Sequence, residues 1–456
     1  LFPIRLGRLA SLVGGRLLRG NPQIPVKHAV FDDARYLREG TVLFLKPRLI
    51  QAQRWKLRTK KSAGVIIRRG STNRIPPPHA VIAVPDVNQA IRTFVRWLRS
   101  KSKAVFIGVT GSTGKTTTKE MITSVLMQKY RTLKSYDNNN VAQALPSNLV
   151  RLSPFHQVVV LEMGMACLGN IRKHCMLTKP SIGVVTNVGE AHVGSLGNSL
   201  ENVVQAKQEL VDGLRPGGVL ILNADDPGSK RLNTARFRGK ILRFGVKNPA
   251  TVRGKDIQFT RDGMSFRVKG VSYQIPIWGK HNVYNALAAI AVAEHLGIPA
   301  PFVQKGLRNF SVPSMRLQRI KGIGNRLLIN DTYNANPTAM IAGLSVLKNV
   351  AGKSHSVAVL GDMHDLGKFS LQGHRRVGKR VAKLNPSALI TVGPRSVQIA
   401  KEAAAAGYHG NIRSLPNNPE VVAAYIQGNV PAGAILYFKA SRRMALEKVV
   451  NKLRSR

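Results

Sequence analysis

In the first hundred residues the apolar positions come in short unbroken runs: Val42-Leu43-Phe44-Leu45, Gly64-Val65-Ile66-Ile67 and Ala80-Val81-Ile82-Ala83-Val84. Runs of this length without polar alternation predict strands buried on both faces. Basic loops and the triple proline Pro76 to Pro78 separate them, and from Val87 to Leu98 the apolar residues recur at helical intervals. A small α/β unit over residues 1–102 is the expectation.

From Lys103 the rhythm changes. AVFIGV, TGSTGKT and TTKEMITSVLMQKY read as strand, glycine loop and helix in succession. Buried strands follow at Val158 to Leu161, Ile182 to Val185 and Gly218 to Leu222, with helical stretches between, which predicts a doubly wound parallel sheet over 103–312. A third cycle, over 313–456, has strands at Leu327 to Asn330, Ser356 to Gly361, Ala388 to Gly393 and Ile435 to Phe438. Helices alternate with them, as at Glu402 to Ala406 and Glu447 to Lys452. The predicted fold class is therefore α/β in three domains, the last a Rossmann-like sheet.

Composition adds limits. At 456 residues and 43% hydrophobic the chain can bury several cores. No apolar run reaches the roughly 18 to 20 residues that span a bilayer, and Arg5 and Arg8 interrupt LFPIRLGRLASLVGG, which argues against a signal peptide or anchor. Cys167 and Cys175 lack a CxxC spacing, so neither zinc nor a disulfide framework is expected. A cytoplasmic, reducing setting and a monomer are the expectations. The charge is the outlier: 70 Lys and Arg against 22 Asp and Glu leave +48. Such a field attracts polyanions, whether nucleic acid, an anionic surface or a nucleotide substrate. The stretch Arg54 to Gly70 is dense in basic residues. The alternative is a solvated surface with no polyanion partner.

The loop Gly111-Ser112-Thr113-Gly114-Lys115-Thr116-Thr117 carries the first chemistry. Backbone N–H groups at a helix N-terminus cradle phosphates, a following Lys neutralises the outer ones, and the next hydroxyl ligates magnesium. The usual GxxxxGK[ST] spacing needs glycine at 109, where this chain has Val109, so a plain glycine turn is the competing reading. Glu162 after VVVL and His192 after IGVV stand where strand ends of an open sheet collect ligands, and they are candidate magnesium ligands beside Thr116.

Taken together, TGSTGKTTTKEM, LEMGM, TNVGEAH, QAKQEL, LNADDP, GKHNVYNALAA, NDTYNANPTAM and VLGDMHDLG occur in the order seen in the Mur ligases, which this chain resembles. The resemblance covers about residues 104–450 strongly and the first hundred weakly. It implies ATP-dependent amide-bond formation through an acyl phosphate, with ATP and magnesium (Mg2+) as cofactors. The small-molecule substrates it implies are a nucleotide-sugar peptide, held by the N-terminal domain, and a dipeptide. By motif, Lys115 would contact the outer phosphates, and Thr116 and Glu162 would hold one magnesium. His192 would hold a second with Lys207, which the family typically carbamylates. Asn282 and Asn285 would neighbour adenine and ribose, and Arg316 would reach the phosphates across a domain junction. Asp331 and Tyr333 would complete the nucleotide site, while Asp33, Arg35, Asn138, Asn140, Asn334 and Asn336 would contact substrate. Bland readings stand beside some of these: a solvent-facing helix lysine at 207, a capped helix after Asn282, and a rigid turn at Asn336-Pro337.

The chain also departs from the family pattern. The motif DSR is Asp33-Ala34-Arg35, and KPRLIQAQRWKLRTKK replaces an expected glycine, Asp and His. Met315 stands where a glycine precedes the arginine. Three readings follow: a ligase adding D-alanyl-D-alanine to a UDP-muramyl tripeptide, a related ligase with another acceptor, or a ligase-like polyanion binder with weak catalysis.

Overall fold

The central sheet explains why its strands show no alternation. The structure, a computed structural model, describes residues 1–136 and 140–455. Seven strands, all parallel, lie in the order Val252–Arg253, Lys240–Gly245, Val219–Asn223, Ile182–Val185, Val105–Thr110, Val158–Glu162, Thr132–Lys134. Successive residues feed opposite cores. Ile107, Val160, Val184 and Ile221 pack with Met121 and Leu287 of the helices Lys115–Leu126 and Lys280–His295. Phe106, Val159, Val185 and Leu220 pack on the other face with Ile171 and Leu210 of the helices Asn170–Thr178 and Leu200–Asp212. Both faces are covered, so both sets of positions are apolar.

The chain leaves the strand Val105–Thr110 toward one edge of the sheet and later returns to the other side of it. The carboxyl end of that strand is thus the point where the winding reverses, and a crevice opens there. Register places Glu162 beside Val109 and Val185 beside Thr110, so the ends of three strands meet at one edge.

The structure corrects several details. The phosphate-loop helix starts at Lys115, before the expected run, and ends at Leu126. An antiparallel sheet of Lys255–Phe259, Met264–Val268 and Val271–Ile275 was not foreseen, although Met264, Phe266 and Val268 alternate with polar residues and are buried. In the first domain a sheet orders Arg16–Arg19, Val81–Val84, Gly64–Arg68, Thr41–Phe44 and His28–Phe31, antiparallel only at its first pair. The segment expected as a basic loop after Leu45 is a short turn, Pro47–Leu49, and a helix, Ile50–Thr59. Only Ile50 and Leu57 of that helix are buried, seven residues apart, too sparse a pattern to stand out among its Arg, Lys and Gln.

The C-terminal sheet runs Gln318–Gly322, Arg326–Asn330, Ile435–Lys439, Ser356–Gly361, Ala388–Val392, Asn411–Leu415, parallel except for the first pair. Its helix Pro337–Ala351 lies against the buried Tyr437, whose hydroxyl donates to Asp331 at 3.1 Å. A Cβ at Gly343 would come within 1.7 Å of the Tyr437 hydroxyl oxygen. Gly343→Ala therefore forces helix and strand apart, and thermal unfolding should show a loss of about 1–3 kcal/mol. An unchanged melting temperature would refute this packing.

Candidate functional site

The crevice at the sheet edge is a cleft of about 1090 Å³ lined by the central and C-terminal domains. Its floor is the glycine loop, held by close backbone approach. Gly111 has φ +152° and Gly114 φ +79°, and a Cβ would meet Thr186 Oγ1 at 1.9 Å in the first case and Asn285 Oδ1 at 2.4 Å in the second. Only glycine fits either place. The intervening residues are clamped by the next strand's loop. Ser112 N–H donates to Asn187 O at 3.0 Å, Thr113 N–H to Asn187 Oδ1 at 2.9 Å, and Thr186 Oγ1 to Thr113 O at 2.6 Å.

Asn282 and Asn285 support this loop from the helix Lys280–His295. Asn282 donates to Trp278 O at 2.7 Å, Asn285 donates to Asn282 Oδ1 at 2.9 Å, and Thr118 Oγ1 donates to Asn285 Oδ1 at 3.1 Å. Both asparagines are buried and line the cleft. Lys115 Nζ donates to Gly111 O at 2.9 Å. Burial holds its pKa below the usual lysine value, helped by Arg316 and opposed by Glu162. Thr116 and Thr117 follow on the first turn and also line the cleft.

Glu162 sits at the strand end with one oxygen engaged: Asn140 Nδ2 donates to Oε1 at 2.7 Å. The other, Oε2, is buried with no hydrogen-bond partner among the described residues. Asn140 is itself fixed, since its carbonyl accepts from Gly164 N–H at 2.8 Å and pairs with His174 Nε2 at 3.0 Å. Its predicted companion Asn138 lies outside the described residues. His192, at φ +65°, also lines the cleft, and burial, Lys115 and Lys207 push its pKa down to about 4. Lys207 is fully buried on the helix Leu200–Asp212, not solvent-facing, and its Nζ lies 3.1 Å from Met165 Sδ. Burial, then Lys115, lowers its pKa well below that of free lysine.

The C-terminal domain closes the cleft. Arg316 lies over the Tyr333 ring at 4.0 Å and reaches Thr116 Oγ1 at 3.5 Å. Both its neighbours, Met315 and Leu317, are left-handed, at φ +57° and +49°. Asp331 is held by Lys439 Nζ at 2.6 Å. Asn336 caps the helix Pro337–Ala351 through Ala339 N–H at 2.9 Å, and Asn334 Oδ1 accepts from Ala335 N–H at 2.9 Å, so the rigid turn is real and both residues still line the cleft. Arg376 grips Glu190 with two bonds of 2.6 and 2.8 Å, joining the two domains.

Asp33 and Arg35 stand apart from this cleft. They pair with each other at 2.7 Å at the carboxyl edge of the first sheet, and Asp33 caps the turn Ala34–Tyr36. Sequence reasoning passed over His174, His281, Glu190 and Arg376. His281 and Glu190 sit inside motifs otherwise assigned, while His174 and Arg376 carried no signal of their own.

Among the described residues no three of His, Cys, Asp and Glu gather as a metal cage. A cation here would need donors from a bound phosphate, which is how magnesium usually sits: one or two carboxylates plus substrate oxygens. The free Glu162 Oε2, the Thr116 hydroxyl and the neutral His192 ring fit that arrangement.

The chain is similar to known proteins over nearly its whole length. Residues 109–293 match the Mur ligase middle domain, and residues 315–442 match the Mur ligase glutamate ligase domain. The UDP-N-acetylmuramoyl-tripeptide–D-alanyl-D-alanine ligase of Bacillus subtilis is 33% identical over 98% of this chain and 97% of its own. The Escherichia coli protein of the same name is 29% identical over 99% of both. A crystal structure of MurF from Acinetobacter baumannii superposes with a TM-score of 0.84, at 26% identity, over 99% of this chain and 98% of that one.

The buried imidazoles give a pH signature. His174 and His281 each have a pKa lowered to about 4, chiefly by burial. Unfolded histidines bind protons below about pH 6.5 while these remain neutral, so the unfolded state holds more protons between pH 6.5 and 4. Stability is full above pH 6.5 and falls as pH drops through that window, by on the order of 3 kcal/mol for each group. Denaturant unfolding across the window should show this slope, and His174→Gln should reduce it by one histidine's share, His281 keeping its own. A flat wild-type profile would contradict the burial.

Proposed function

This chain belongs to the Mur ligase family, and on that footing we propose that it joins the tripeptide carboxylate of UDP-N-acetylmuramoyl-tripeptide to the amine of D-alanyl-D-alanine, cleaving ATP. One observation carries the reading: a chain alike over nearly its full length to ligases of that name keeps the phosphate loop, Glu162, His192 and Arg316 around a single cleft, with Lys207 buried against Met165 of its lining.

A carboxylate oxygen attacks the γ-phosphorus and ADP leaves, giving an acyl phosphate. The dipeptide amine then attacks the acyl carbon, inorganic phosphate departs, and the amine gives up a proton. Little covalent work falls to the protein; positioning and charge do most of it. Loop N–H groups from Gly114 to Thr117 receive the phosphates, those of Ser112 and Thr113 being spent on Asn187, with Lys115 moving from Gly111 O onto the outer ones. Arg316, stacked on Tyr333, supplies a second cation from the C-terminal domain, and the Asp331–Lys439 pair holds the loop that carries Tyr333. Asn282 and Asn285 brace the loop beside the nucleotide.

Thr116 and Glu162 would hold one magnesium, and His192 and Lys207 a second; magnesium neutralises charge on the phosphoryl group in transfer. An ammonium cannot be a ligand. The depressed pKa of Lys207 favours the neutral amine, whose nitrogen can bond to carbon dioxide and lose a proton, leaving a carbamate with two acceptor oxygens. Asn140, Asn334 and Asn336, with Asn138, are assigned to substrate. In the first domain Asp33, Arg35, Lys46 and Arg48 stand at the carboxyl ends of parallel strands, which suits the nucleotide-sugar end. We assign residues 1–102 to that substrate, 103–312 to ATP and 313–456 to closure of the third domain onto the second. We propose that it acts as a monomer, and nucleotide substrates support a cytoplasmic setting.

Phosphate release should require UDP-muramyl tripeptide and D-alanyl-D-alanine together, and turnover indifferent to both would sink the reading. Lys115→Ala should lower turnover at least about a hundredfold. In bicarbonate labelled with carbon-13, the wild type should show a carbamate resonance that Lys207→Arg lacks; a resonance in both would clear Lys207 of the role.

A further inference from the structure

The excess of positive charge is not spent in the cleft. Between Glu39 and Asp86 there is no Asp or Glu, while the same span carries ten Lys and Arg. Among the described residues only Lys46 of these ten forms an ion pair, with Asp32 at 2.6 Å. The helix Ile50–Thr59 carries the centre of the span. Its inner side is spent on the fold: Ile50 and Leu57 are buried, and Gln53 Oε1 accepts from Ala34 N–H at 3.1 Å. Its outer side presents Gln51, Arg54, Trp55 and Arg58, all exposed, at the i, i+3, i+4, i+7 spacing of one helix face.

Trp55 is 74% exposed, an unusual place for the largest apolar side chain. Arg54 and Arg58 flank it, and the turn bonded to the helix adds Tyr36, 65% exposed. A duplex offers no unstacked base to such rings. A lipid surface would call for an apolar helix face to insert, and this helix has already buried its own. Exposed rings among unpaired guanidiniums are what unpaired bases on a phosphate chain require: a ring to stack on and cations along the backbone.

We propose that the outer face of the helix Ile50–Thr59, centred on Trp55, is a binding surface for single-stranded nucleic acid, read through stacking and phosphate charge without base specificity. It lies on the domain assigned to the nucleotide-sugar but apart from Asp33, Arg35, Lys46 and Arg48, the side chains given to that substrate, and it stands or falls separately from the ligase reading.

The full-length protein would be titrated against a fluorescein-labelled oligothymidylate of about 16 nucleotides, against the matching duplex, and against phosphatidylglycerol vesicles. The single strand should bind most tightly, and with about four phosphate contacts its affinity should fall about fiftyfold between roughly 50 and 200 mM salt. Trp55→Ala should weaken binding about tenfold, with Trp55→Phe restoring most of it. Arg54→Glu with Arg58→Glu should weaken it further, while phosphate release by the ligase reaction is unchanged. No binding, equal binding of strand and duplex, preference for vesicles, or indifference to Trp55→Ala would each overturn the proposal.

Discussion

Everything in the cleft depends on how closely one loop can be pressed against its neighbours. At Gly111 and Gly114 there is no room for a single methyl group, because Thr186 and Asn285 already occupy it. The phosphate loop is therefore fixed from two sides by elements far away in sequence, the strand-end loop at Thr186-Asn187 and the helix Lys280–His295. A loop with an ordinary glycine spacing could be shaped by its own turns. Here the shape is imposed by the sheet and by the Asn282–Asn285–Thr118 chain, which makes the central core part of the nucleotide site.

Charge is the second constraint. Lys115 and Arg316 face the cleft with Glu162 as the acid acting on Lys115, Lys207 lies buried against Met165 of its lining, and burial weakens the charged form of both lysines. Buried cations without anions are costly. A bound triphosphate would supply the missing negative charge, so nucleotide binding and the electrostatic settling of the cleft would be the same event. The first domain shows the opposite solution, with unpaired cations left on the surface, where water screens them.

What could be read in advance follows from where the information is local. The four inner strands of the central sheet were legible because each is a contiguous apolar run, whereas Thr132–Lys134, Lys240–Gly245 and Val252–Arg253 are short or interrupted by charge; Lys115, Glu162, His192 and Lys207 could be picked out because each sits in a short motif. The helix Ile50–Thr59 was hidden because its two core contacts are lost among charges, and the sheet at 255–275 because its alternation is brief. Partnerships could not be read at all: that Asn336 spends its side chain on a helix cap, that Asn140 is pinned by His174, or that Asp331 is paired to Lys439 is decided only by folding.

Arg316 has one more property. It stands between Met315 and Leu317, both left-handed without the freedom of glycine, a conformation that costs roughly 1–2 kcal/mol for each residue. These residues are also the joint between the second and third domains. The joint is thus a loaded spring: the contacts of Arg316 with Tyr333 and Thr116 and the clasp of Arg376 on Glu190 hold it wound. Because two of those contacts, Arg316 to Thr116 and Arg376 to Glu190, cross from one domain to the other, the placement of the arginine and the seating of the domains are tied together.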